Sequence, residues 1–193
     1  MITIVSGLPR SGTSLMMQML AAGGVPILSD GERVADIDNP RGYCEWERIK
    51  RLPQEPSCID EAEGKAVKVI SQLLFAVPAG RTYRVIFMER PLPEVVASQA
   101  EMIRRRGTSG AAVPEAALIA GLRAHLNQVN AWLSQRHETL VRRQPYHDVL
   151  RDPAGASQSI RTFLDRDLDI AAMTKHVDPS LYRNRTKDAA IKP

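Results

Sequence analysis

The residues most suited to chemistry lie near the start of the chain, in Ser6-Gly-Leu-Pro-Arg10-Ser-Gly-Thr-Ser14. Two glycines, Gly7 and Gly12, bracket a short turn that also holds Pro9 and the guanidinium of Arg10. The hydroxyls of Ser11, Thr13 and Ser14 add three donors. This set is built for an anion. Glycines let the backbone curl until successive N–H groups point inward, and a following helix N-terminus adds positive potential. The pattern comes close to the phosphate loop G-x-x-x-x-G-K-[ST] and departs from it at one place: Gly12 is followed by Thr13, and the basic residue sits earlier, at Arg10. In an NTPase or kinase that lysine reaches the β- and γ-phosphates. Its absence argues against ATP hydrolysis and for an anion cradle with another task. The plain alternative is a glycine-rich strand-to-helix turn that binds nothing.

A second stretch, Arg90-Pro-Leu-Pro-Glu-Val-Val-Ala-Ser98-Gln99, sets a cation where a strand ends and a hydroxyl about a turn and a half into the next helix. Such a pair can grip a second anionic group. The competing reading pairs Arg90 with Glu89 or Glu94 on the surface. The four histidines, His125, His137, His147 and His176, show no close spacing of the metal-ligand kind. His147 remains an outside candidate for a base, and His125 and His137 read as surface or packing residues.

These groups need elements to hold them. Ile2 to Val5 is a buried strand by composition, and Thr13 or Ser14 opens a helix with Leu15, Met16, Met19 and Leu20 on its apolar face. Val25 to Leu28 suits a short second strand, and Ser29 to Gly42 a loop over the cradle. Tyr43 to Ile49 begins a short helix, and Pro53 to Gly64 reads as a mobile polar segment. Lys65 to Ile70 and Tyr83 to Met88 are further strands. Pro93 starts a helix whose core residues are Val95, Val96, Met102 and Ile103. Pro114 to Leu140 reads as the longest helix, with Leu118, Leu122, Leu126, Val129 and Leu133 as its buried stripe and Trp132 packed beside it. Tyr146 to Leu150 then reads as the last strand, and Asp152-Pro153 opens a helix. Apolar runs separated by helices predict an α/β fold: three layers, a largely parallel sheet with helices on both faces, P-loop NTPase-like, in a single domain over residues 1–193. Ligands in such sheets gather at the C-terminal strand ends.

Composition narrows the class. Hydrophobic residues make up 44% and charged residues 25%, the balance of a globular protein with a real core. The formal charge of +4 suits an anionic small molecule and is too mild to argue for nucleic acid. Cys44 and Cys58 are too few for a disulfide framework and read as free thiols. The apolar run Leu15 to Ala22 is too short to cross a bilayer. With strand residues starting at Ile2, no cleavable leader fits in front, so the expected setting is cytoplasmic, without membrane or nucleic-acid partners.

The motifs together resemble the sulfotransferases that use 3′-phosphoadenosine-5′-phosphosulfate (PAPS), in a short bacterial form. Pro9-Arg10-Ser11-Gly12-Thr13-Ser14 is similar to their 5′-phosphosulfate loop, and Arg90 with Ser98 to their 3′-phosphate motif. Asn39-Pro-Arg-Gly-Tyr-Cys-Glu45, the strand-borne Lys68, Pro145-Tyr-His-Asp-Val-Leu-Arg-Asp-Pro153 and the Asp178-Pro-Ser-Leu-Tyr-Arg-Asn-Arg185 tail match in the same order along the chain. Leu15 stands where an aromatic is usual, Trp46 where an acidic residue is frequent, and the glycine-rich element of the longer members is absent. The resemblance implies PAPS as co-substrate and transfer of a sulfuryl group to a hydroxyl or amine on a small-molecule or protein acceptor, with no metal demanded. It implies binding by Pro9 to Ser14, Arg90 and Ser98, and catalysis by Arg10, Lys68 and Glu45. Glu45 reads equally as an ordinary glutamate at a helix N-terminus. The basic segment Arg104 to Gly110, and Arg183 or Arg185, are further candidates to reach over a nucleotide, or are solvated surface. A small P-loop kinase and a non-catalytic nucleotide-binding protein are the alternatives.

Overall fold

The computed structural model describes residues 1–37, 39–105, 107 and 113–182. Its sheet contains β1 (Ile2–Gly7), β2 (Ile27–Leu28), β3 (Ala66–Lys68), β4 (Tyr83–Glu89) and β5 (Thr139–Pro145), in the order β2-β3-β1-β4-β5. Every pairing among them is parallel. β1 lies at the centre, with Ile4 beside Val67 of β3 and Val85 of β4. It is buried along its whole length, which is why it reads as an unbroken apolar run.

Alternation along the strands splits the core in two. On one face Val5, Ile86 and Met88 pack with α1 (Thr13–Ala22), α4 (Tyr146–Arg151), α5 (Pro153–Leu164) and α6 (Ile170–Lys175), through Met16, Leu20, Val149, Ile160 and Met173. On the other, Ile4, Val67, Val85 and Phe87 meet Val129 and Leu133 of α3 (Glu115–Ser134) and three 3₁₀ turns at Glu47–Arg51, Pro56–Ala62 and Ser71–Ala76. The remaining helix, α2 (Leu92–Arg105), follows β4. The fold is the three-layer α/β arrangement expected, P-loop NTPase-like in its strand order.

Several local expectations give way. The helix predicted to Leu140 ends at Ser134, and Thr139 to Pro145 is β5. Tyr146 to Leu150, expected as the last strand, lies in α4, so His147 sits on a helix. The reason is physical. β5 pairs with β4 alone and carries Arg142 and Arg143, so its own pattern is polar; its strand state comes from the ladder with β4 from Tyr83 to Glu89. Pro145 then sits at the N-cap of α4 and breaks the strand. Of the predicted stripe on α3 only Val129 and Leu133 are buried, while Leu118 is exposed. Met102 is half-buried and Ile103 exposed, so neither joins the core. The Pro53 to Gly64 segment, expected to be mobile, buries Cys58, Ile59 and Ala62 in a 3₁₀ turn. The short helix expected from Tyr43 is the 3₁₀ turn that begins at Glu47. Cys44 and Cys58 are free thiols, as expected. Among the described residues no helix is long and apolar enough to cross a membrane.

Candidate functional site

The loop between β1 and α1 owes its shape to two glycines. Gly7 has φ +147° and Gly12 φ +101°. A Cβ on Gly7 would stand 2.7 Å from the Met88 carbonyl oxygen, and one on Gly12 within 2.9 Å of Cε2 of the Tyr146 ring. Neither position has room for a side chain. Arg10, between them, takes a left-handed φ of 74°. That conformation is costly for a residue with a side chain and is held from outside: Arg90 Nη1 donates to the Arg10 carbonyl at 3.0 Å. Gln99 Nε2 donates to the Pro9 carbonyl at 3.4 Å. No side chain caps the start of α1, and its first-turn N–H groups, which have no intrahelical acceptor, are left to partners other than a capping side chain.

Beside this loop opens a cleft of about 390 Å³ at the C-terminal ends of the strands. Pro9, Arg10, Gly12, Thr13, Ser14, Lys68, Arg90 and Ser98 all line it. Residues far apart in sequence are thus gathered on one wall. Arg10 Nε donates to Ser98 Oγ at 2.9 Å, across 88 positions of sequence. Ser11 is the exception. Its hydroxyl is buried without a hydrogen-bond partner, and the residue lines a separate hollow of about 220 Å³ behind the loop, beside Leu8 and Phe87. Ser11 serves the loop through its amide, which donates to the Leu8 carbonyl at 3.1 Å.

At the β3 end, Lys68 Nζ donates to Glu45 Oε1 at 2.9 Å, to Ser14 Oγ at 3.1 Å and to the Tyr43 carbonyl at 3.3 Å. Glu45 also accepts from Arg33 Nη1 at 3.0 and 3.1 Å, and the Arg33 guanidinium lies 3.4 Å from the centre of the Tyr43 ring. Burial by itself would raise the Glu45 carboxyl, but Lys68 and Arg33 together hold it below the ordinary value and keep it ionised. Burial lowers the Lys68 ammonium, against the pull of Glu45. The loop that brings Glu45 in is fastened to α1, since Gln18 Nε2 donates to the carbonyls of Arg41 and Gly42 at 3.2 and 2.7 Å.

At the β4 end, Arg90 Nε donates to Glu94 Oε2 at 2.9 Å. The alternative pairing of Arg90 with Glu94 is therefore met, but in the interior, with the two side chains only 8% and 1% exposed. Glu89 pairs with Arg143 instead. The Arg90 guanidinium also lies 5.0 Å from the Tyr146 ring and 5.2 Å from the Tyr182 ring. Tyr182 donates its phenol proton to Glu94 Oε1 at 2.6 Å, and burial with this carboxylate raises the phenol well above its ordinary value.

Arg33, Glu94 and Tyr182 escaped the sequence reading as site residues. Arg33 carries no local signal, since it reaches Glu45 through a loop. The spacing of Arg90 and Glu94, four apart across the start of α2, was the legible hint. His125 lies off the cleft, its Nε2 2.9 Å from Ser71 Oγ. Arg105 lines the cleft, and Arg104 pairs with Glu101. Arg106, residues 108–110, Arg183 and Arg185 fall outside the described residues. Among the described residues no three of His, Cys, Asp or Glu are grouped to hold a metal ion.

No protein-family model and no curated protein sequence matches the chain. Among solved structures, it aligns with the sulfotransferase domain from the curacin biosynthetic pathway at a TM-score of 0.55, covering 99% of this chain and 82% of that one. The two share a fold. Their sequence identity is 14%, so the likeness is one of architecture.

Proposed function

We propose that the chain is a sulfotransferase that moves a sulfuryl group from PAPS to a hydroxyl or amine acceptor, on a small molecule or a protein. The observation that carries this reading is the joining of the two anion motifs: Arg10 Nε and Ser98 Oγ meet at 2.9 Å, with Arg90 bonded to the Arg10 carbonyl. One phosphate-binding loop would serve many nucleotides. A second cation and hydroxyl beside it suit a nucleotide carrying phosphate at both ends of its ribose. The glycine cradle, which excludes side chains at Gly7 and Gly12, suits the 5′ group.

In this reading the acceptor O–H or N–H proton passes to Glu45 as the new bond to sulfur forms. The electron pair of the breaking S–O bond stays on the 5′-phosphate oxygen. Arg10, Lys68 and the first-turn amides of α1 meet the charge that builds there. Glu45 is held ionised by its two cations, ready to accept a proton, and stands 2.9 Å from the ammonium of Lys68, which itself lines the cleft. Ser14, bonded to Lys68 at 3.1 Å, aligns that ammonium with the loop.

The test is calorimetric binding of adenosine 3′,5′-bisphosphate beside ATP with magnesium, on the wild type and on Arg90→Ala, followed by acceptor screening with PAPS. Tight bisphosphate binding that Arg90→Ala abolishes, weak ATP binding and transfer to an acceptor support the sulfotransferase. A magnesium-dependent preference for ATP points to a kinase. Bisphosphate binding without turnover on any acceptor points to a nucleotide-binding protein.

A further inference from the structure

Glu94 is a carboxylate with almost no access to water, on the first turn of α2, and the reaction outlined above gives it no task. Its side chain is 1% exposed. A buried carboxylate is retained in an interior only where it is paired and hydrogen-bonded. Its partners include groups from three other segments of the chain. Arg90 Nε reaches Oε2 at 2.9 Å from the end of β4; His147 Nε2 lies 3.2 Å from the same oxygen, from α4; Tyr182 donates to Oε1 at 2.6 Å from the end of the described chain. His147 Nε2 and the Tyr182 oxygen are themselves 2.5 Å apart. A carboxylate only accepts, so each of these groups is held as a donor toward one point.

The consequence for Arg90 is a fixed guanidinium. A free arginine side chain has several rotatable bonds, and ordering it on binding weakens the grip on a ligand. Glu94 takes the Nε edge, the Arg10 carbonyl takes Nη1, and the rings of Tyr146 and Tyr182 lie near the guanidinium. The guanidinium is thereby oriented before any ligand arrives, on the wall that also carries Ser98. The same carboxylate fastens Tyr182. The segment before it lines the cleft through His176, Asp178 and Leu181, and Arg41 pairs with Asp178 at 3.4 Å.

We propose that Glu94 is a positioning residue for recognition of the 3′-phosphate: it acts through Arg90, and it fastens the Tyr182 segment to the same point. The proposal rests on the sulfotransferase reading. It assigns Glu94 no contact with the nucleotide.

The experiment is calorimetry with adenosine 3′,5′-bisphosphate and adenosine 5′-monophosphate, on wild type and Glu94→Gln. The readout is the ratio of the two affinities, which a loss of general stability does not move. Removing a charge-assisted bond to Arg90 should cut the preference for the bisphosphate by about tenfold, with monophosphate affinity kept within about twofold. An equal loss for both ligands, or an unchanged ratio, overturns the proposal. If the wild type itself shows no preference for the 3′-phosphate, the donor assignment falls and Glu94 falls with it; a wild-type preference that survives in Glu94→Gln removes Glu94 alone. Where Glu94→Gln does not fold by circular dichroism, Tyr182→Phe takes its place. It removes one hydroxyl from the same carboxylate and should lower the ratio about threefold; no change in that ratio overturns the proposal equally.

Discussion

Lys68 and Arg90 stand at the carboxyl ends of two strands that flank β1, and each faces a carboxylate at 2.9 Å. The carboxylates arrive on different kinds of element. Glu45 comes in on a loop, with its side chain 18% exposed and shared between Lys68 and Arg33. Glu94 belongs to a helix four residues beyond its own partner, is 1% exposed and is held by Arg90, His147 and Tyr182 among others. In the proposed reaction Glu45 exchanges partners when a ligand enters, from a position that keeps some access to solvent. Glu94 cannot do so without leaving a charge unpaired in the interior. Under the proposed function the β3 end would serve bond-making, where a proton must move, and the β4 end recognition, where a cation must stay still.

The sharpest way to break this contrast is Glu45→Gln. Turnover should fall by about 10²–10⁴-fold with bisphosphate affinity nearly intact, as expected for loss of a general base. Steady-state rates beside calorimetry check it. Equal turnover would take Glu45 out of the chemistry, and a matching loss of affinity would make the two ends alike.

Gly12→Ala probes what the two ends share. It forces a side chain into a left-handed backbone and against the Tyr146 ring. It should lower stability by about 1–3 kcal/mol, read as a fall in Tm, and weaken bisphosphate binding as well. Normal stability and binding would mean that the loop yields more easily than its geometry implies.

Arg33→Ala makes the smallest change. Glu45 is held below the ordinary carboxylate value, so its ionised form is present above that value and is lost only as pH falls through the depressed one. The acid limb of kcat should accordingly lie below the usual glutamate range. Arg33 is a third exposed, so its removal should move that limb upward by less than about one pH unit. A limb that stays in place would show that Lys68 alone sets Glu45.

Much of the fold was legible because its signals are local. β1 is fully buried and therefore apolar throughout, and the Gly7 and Gly12 turn needs backbone shapes that side chains obstruct. The same holds for α1 and β4. β5 was not legible, since Arg142 and Arg143 mark an edge and its strand state depends on β4. Mistaking it displaced the next element too, and put His147 on a strand.

The chain's own residue types determined that a tight turn bracketed by Gly7 and Gly12 and rich in donors follows the first strand, with Arg10 inside it, and that Arg90 and Ser98 both follow the Tyr83 to Met88 strand. Which of these groups meet was decided only in three dimensions. Ser98 bonds Arg10, the Ser11 hydroxyl turns away from the cleft, and Arg33 reaches Glu45. Tyr182 reaches Glu94 across 88 positions of sequence. Backbone constraints act within a few residues and leave their mark in composition. Pairings between distant side chains depend on how strands and helices stack, and no short stretch of sequence records that.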